Sequence, residues 1–187
     1  MRPNQVSTAA TDQDVMQIGE LAARVDVAYR TIRYALERGH ADRWVRGTDG
    51  SGHYRDLTDG EAFALALLLK LKLAGLRMRD AERVVELVDE SLRFVASGFG
   101  WDHEFHPFLG QLRTSFQWFL EVGDGRTFRL RTNANPSRGG QMEDFPWTSI
   151  ATHRTVDGFK PCVTIGIDLT RLAALVGKLD GGEFHDS

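Results

Sequence analysis

The stretch IGELAARVDVAYRTIRYALERG, Ile18 to Gly39, decides how the first half of the chain is read. Ile18, Leu21, Ala22 and Val25 recur at the spacing of one helical face, which predicts a helix of about two turns. A break follows at Asp26-Val27. Ala28, Ile32, Ala35 and Leu36 repeat the spacing and predict a second helix. It ends at Gly39, a residue that readily takes the left-handed conformation of a helix terminator. The opposite face carries Arg30, Arg33 and Tyr34. Two short amphipathic helices joined by a few residues are the helix-turn-helix pattern.

Outward from this stretch, the N-terminus is polar and lacks the apolar core of a signal peptide. Residues 1–15 are read as a disordered tail. On the other side, residues 44–54 contain Gly47, Gly50 and Gly52 and predict a hairpin loop, a wing, with Arg43, Arg46, His53 and Arg55 around it. Leu57-Thr58-Asp59-Gly60-Glu61 starts a third helix: Thr58 can cap it, and Glu61 stands three residues on, as a capping box requires. This helix, residues 59–74, is apolar nearly all round between Ala62 and Leu69. It must be covered on several sides, by its own chain or by a second copy. A fourth helix runs from about Arg79 with Ala81, Val84, Val85, Leu87 and Val88 inward, as far as Phe94.

Beyond residues 97–107 the pattern changes. Pro107 can open a short helix through Phe108, Leu109 and Leu112. Residues 116–122 and 127–132 flank Gly123-Asp124-Gly125-Arg126, and Asp-Gly signals a hairpin turn. Phe128 and Leu130 alternate with Arg129 and Arg131. Residues 133–144 are polar and predict a long loop. Val163, Ile165 and Ile167 alternate as a strand, and Asp168 begins a helix with Leu169, Leu172, Val176 and Leu179 inward. The fold class expected is a mainly α winged helix-turn-helix domain over residues 16–96, followed by a small α+β domain over residues 105–182.

The order helix, turn, helix, glycine-rich wing, capped helix, helix resembles the MerR family of transcriptional regulators. The residues that carry the resemblance are Ile18-Gly19-Glu20-Leu21-Ala22, Tyr29-Arg30-Thr31-Ile32-Arg33-Tyr34, Glu37-Arg38-Gly39, His53-Tyr54-Arg55, Leu57-Thr58-Asp59 and Leu73-Ala74-Gly75-Leu76. The match covers about residues 16–88. The chain departs from the family at Ala35, where a second aromatic is usual, and at His40-Ala41, which replace an apolar pair. The family's long helix, which pairs with its twin in a coiled coil, is expected to be short or absent. The resemblance implies a homodimer on a pseudo-palindromic operator in double-stranded DNA, in the cytoplasm and on the nucleoid.

The chain of 187 residues has a formal net charge of only −3, so overall charge does not advertise a nucleic-acid partner. Between residues 24 and 55, however, seven arginines (Arg24, Arg30, Arg33, Arg38, Arg43, Arg46 and Arg55) face four carboxylates (Asp26, Glu37, Asp42 and Asp49). That local excess is the electrostatic footprint of a phosphate-binding surface, although a basic helix face also serves simply to solvate a helix. Arginine can fork onto phosphates or onto the guanine edge. Arg30 and Thr31, early in the second helix, are expected nearest base edges. Arg33, Tyr34, Tyr54 and Arg55 are expected on phosphates, and Arg46 on phosphate or in the adjacent minor groove. Tyr29 completes the DNA-binding set.

Other functions find less support. The single cysteine, Cys162, is read as a small buried hydrophobe in a reducing compartment. Asp102-His103-Glu104-Phe105-His106 lacks the spacing of a helical zinc motif, so no metal is expected. No nucleophile elbow or phosphate loop is present, and the chain is read as a non-enzyme without a cofactor. The aromatics Trp101, Phe105, Phe108, Phe116, Trp118, Phe119, Phe128, Trp147 and Phe159 form either a core and dimer interface or an apolar pocket for a small-molecule effector. The longest apolar run is too short to span a bilayer, so no membrane partner is expected. Two rival functions remain open: an architectural, excisionase-like DNA-bending protein, and an enzyme domain tethered to DNA.

Overall fold

The computed structural model describes residues 15–45, 56–98, 117–133 and 142–177. Within them the chain is mixed α+β, with five helices and an antiparallel sheet. Helix α1 (Ile18–Arg24) buries Ile18, Leu21 and Ala22, and Val25 is buried at its C-cap. The chain turns through Asp26 at φ 51, a left-handed conformation that a short polar side chain tolerates. Helix α2 (Tyr29–Glu37) follows, with Ile32 and Ala35 buried and Leu36 packed partly against the core. Ala28, expected inward, is instead the exposed N-cap, because the helix only begins at Tyr29. Gly39, at φ 71, ends α2 as the sequence predicts. Its N–H donates to the Leu36 carbonyl (3.0 Å) and that of His40 to the Ala35 carbonyl (2.9 Å), the paired bonds of a Schellman cap.

Two short strands lie at the base of this helix pair. β1 (Val15–Met16) pairs antiparallel with β2 (Leu57–Thr58), Met16 against Leu57, and both of these side chains are fully buried. Val15 therefore belongs to a strand and not to a tail; two residues carry too little periodicity to be read as one. Residues 1–14 lie outside the described residues.

Helix α3 (Asp59–Leu73) has the predicted capping box: the Glu61 N–H donates to Thr58 Oγ1 (3.3 Å), and the Thr58 N–H donates to Glu61 Oε2 (2.8 Å). Every residue from Gly60 to Leu69 is buried, and so is Leu71. The cover comes from within the chain: α2, β1, β2, the long helix α4 (Met78–Gly98) and the short helix α5 (Leu169–Val176) all pack on α3. α4 is 21 residues long and reaches past both of its expected ends. It buries the five residues expected inward, together with Leu92.

In the second half, β3 (Gln117–Gly123) and β4 (Thr127–Asn133) form the expected hairpin, in register from Gln117 opposite Asn133 to Gly123 opposite Thr127. Asp124 (φ 50) and Gly125 (φ 65) both take the left-handed conformation at the turn, which matches the twist of paired strands. β7 (Thr164–Asp168) lines the other edge of β3, while β5 (Met142–Asp144) and β6 (Thr148–Ser149) both pair with β4. Part of the loop expected at residues 133–144 is therefore strand. Polar edge strands lack the apolar alternation that reveals a strand in sequence; residues 134–141 lie outside the described residues.

One face of the sheet, with Trp118, Leu120, Val122, Phe128 and Leu130, is buried. Glu121, Arg129 and Arg131, which alternate with them, form a closed ring of ion pairs with Asp144 of β5. Glu121 accepts from Arg129 Nε and Arg131 Nη1 (2.7 Å each), and Asp144 accepts from Arg129 Nη1 (2.8 Å) and Arg131 Nε (2.6 Å). Glu121 first, then Asp144, holds the Arg131 pKa above its usual value. Trp147 lies against Arg129, 4.6 Å from the guanidinium carbon to the ring centroid. α5, capped by Asp168 Oδ1 accepting from the Arg171 N–H (2.8 Å), buries Leu169, Leu172, Ala173 and Val176 between β3 and α3. Buried residues of both halves thus belong to one core. Cys162, expected buried, is exposed at the bend before β7, where its N–H donates to Asp124 Oδ2 (3.2 Å).

Candidate nucleic-acid interface

Ile32 and Ala35 fasten α2 to the core, and the periodicity that points them inward turns Tyr29, Arg30, Arg33 and Tyr34 outward. Thr31 is half-buried beside them. Tyr29 is 49% exposed and Tyr34 51%. An isolated exposed aromatic is unremarkable, but two on one short basic helix form a surface able to stack and to donate hydroxyl hydrogen bonds. The Arg30 guanidinium makes no ion pair or hydrogen bond among the described residues. Arg33 is held by Glu37 Oε1 through Nε (3.1 Å) and Nη2 (2.5 Å). Arg38 lies over the Tyr34 ring, 5.4 Å from its centroid. The first turn of α2 carries no acidic residue and no side-chain cap, so nothing on the helix itself offsets its positive end.

Behind α2, the following turn is tied to α4. His40 Nδ1 lies 2.5 Å from Glu82 Oε1, and Arg43 pairs with Glu86, which also takes Arg83. Arg24 points away from α2, to Glu20 (2.6 Å) and to main-chain carbonyls of α5. The local arginine excess seen in the sequence is therefore only partly available to a partner: Arg24, Arg33 and Arg43 each have a carboxylate.

Five of the eight expected DNA-binding residues, Tyr29, Arg30, Thr31, Arg33 and Tyr34, thus stand on one helix, four of them exposed. Arg46, Tyr54 and Arg55 lie outside the described residues. Sequence reasoning passed over Glu82 and Glu86, the acids that orient this region; their spacing of four along α4 was the available signal. The 102–106 segment, with its two histidines, also lies outside the described residues, as do Trp101, Phe105, Phe108 and Phe116. Of the remaining aromatics, Trp118 and Phe128 are core residues, and Trp147 packs edge-on against Phe159 (5.4 Å between centroids). Among the described residues no helix is long and apolar enough to cross a membrane. Compared with protein-family models, with curated proteins and with solved structures, the chain matches none.

Proposed function

We propose that the chain is a sequence-specific DNA-binding transcriptional regulator in which α1 and α2 are a winged helix-turn-helix of the MerR type and α2 is the recognition helix. The observation that carries this reading is Arg30: an exposed guanidinium without a partner among the described residues, one residue into a helix whose inner face is locked in the core. An α-helix is about 10–12 Å across with its side chains, and a major groove about 12 Å wide admits one.

In that pose Arg30 and Thr31 reach base edges, while Tyr29, Arg33 and Tyr34 meet the flanking phosphates. Base contacts select the sequence and phosphate contacts set the register. Two copies of the chain would present two such helices to an inverted repeat.

The test is a salt titration of the purified protein on the DNA upstream of its own gene, with wild type and Arg30→Ala side by side. The expected loss is about 1–3 kcal/mol at one inverted repeat, with little change on random DNA. Binding of the wild type no tighter than to random DNA, and unaltered by the substitution, would show that α2 does not read sequence.

A further inference from the structure

Between the start of α4 and the β3–β4 turn lies an open cleft of about 790 Å³, lined among others by Arg77, Arg79, Asp80, Arg83, Arg126 and Ser149. A second hollow, under the α3–α4 turn, shares Arg77, Asp80 and Arg126 with it. The guanidinium groups of Arg77, Arg79 and Arg126 form no ion pair or hydrogen bond among the described residues. Glu82 meets His40, and Glu86 holds both Arg43 and Arg83. Four arginines (Arg77, Arg79, Arg83 and Arg126) face three carboxylates (Asp80, Glu82 and Glu86) across the lining. The cleft is net positive, and three of its guanidiniums are without a partner among the described residues.

The placement of these arginines runs against helix stability. Arg77 and Arg79 flank the first residue of a 21-residue helix, at its positive end, where cations are disfavoured and anions stabilised. Arg126 lines the same cleft from the β3–β4 turn. An anion in the cleft would offset the helix dipole, and forked guanidiniums suit phosphate and carboxylate oxygens. The volume falls inside the roughly 300–1,000 Å³ typical of small-molecule sites.

We propose that this cleft is a binding site for a small dianionic ligand, a phosphate ester or a dicarboxylate, held between Arg77 and Arg79 on one side and Arg126 on the other. The inference does not depend on DNA binding. A ligand so held would bridge α4 and the β3–β4 turn; Arg83 of α4 also contacts His153, beyond β6.

The experiment is titration calorimetry of the full chain with sodium pyrophosphate at constant ionic strength, balanced with chloride. Saturable binding at one site is expected, weakened about tenfold or more by either Arg126→Gln or Arg79→Gln, since each removes a charge-assisted contact. Arg126→Lys, which keeps the charge and loses the fork, is expected in between. Arg30→Ala is expected to bind as the wild type does. The proposal is overturned by the absence of saturable binding at millimolar pyrophosphate, by cleft variants that bind unchanged while keeping the wild-type circular dichroism, or by an equal loss in Arg30→Ala. It is overturned too if the cleft variants lose affinity for random duplex DNA while pyrophosphate does not bind, because the arginines then serve the duplex.

Discussion

Arg24, in the first helix, donates through Nη1 to the main-chain oxygen of Val176, the last residue of α5 (3.3 Å). The final carbonyls of a helix have no partner within it, and a guanidinium from a distant element supplies one here. Arg24→Ala is expected to lower stability by about 0.5–1.5 kcal/mol, read as a shift of the urea midpoint at constant slope. An unchanged midpoint would mean that water replaces Arg24 at no cost.

The same neighbourhood predicts that residues 1–98 do not form an independent folding unit. α5 covers part of α3, and α3 has no polar face to turn to water. Expressed alone, the fragment is expected to aggregate or to melt without a cooperative transition. A soluble fragment with a sharp thermal transition would show that α3 can close its core without α5.

Gly123 closes the β3 strand against crowded surroundings. A Cβ there would lie 2.9 Å from Phe159 Cε1, Pro161 Cβ and Thr127 Oγ1 alike. Gly123→Ala is expected to cost about 1–3 kcal/mol by overpacking, whereas Gly166→Ala, whose Cβ meets open space, makes the control. Equal melting temperatures for the two variants would mean that the 159–161 segment gives way freely.

Glu37 holds Arg33 against the surface of α2. If α2 meets DNA, Glu37→Gln weakens the hold on Arg33 and removes a negative charge from the contact face. Affinity for duplex is then expected to rise about two- to fivefold, with the salt dependence steeper by about one phosphate contact. Anisotropy titrations across a range of KCl concentrations measure both. Unaltered affinity would place Arg33 away from the duplex.

The elements legible in the sequence were those with a strong local signature. Ile18, Leu21 and Ala22 mark α1 by spacing, Thr58 and Glu61 mark the start of α3, Asp124-Gly125 marks the hairpin, and Asp168 caps α5. What stayed hidden depends on long-range pairing. Val15 and Met16 become a strand only because Leu57 and Thr58 lie beside them. Arg129 and Arg131 were visible as an outward row, but nothing local names Glu121 and Asp144 as their shared acceptors. At the candidate interface, exposure of Tyr29, Arg30, Arg33 and Tyr34 followed from the helical period; the loss of Arg43 to Glu86 did not, since those residues sit on separate elements. The apolar circumference of α3 showed that it is enclosed without showing by what, and α5 was the partner that could not be foreseen.

That enclosure also has a timetable. α3 leaves the ribosome roughly 100 residues ahead of the helix that completes its cover, a wait of about 5–20 s at the usual pace of synthesis. For that interval a leucine-rich cylinder stands without one of its walls. Until the last segment arrives, the nascent chain exposes the kind of apolar surface that chaperones shield.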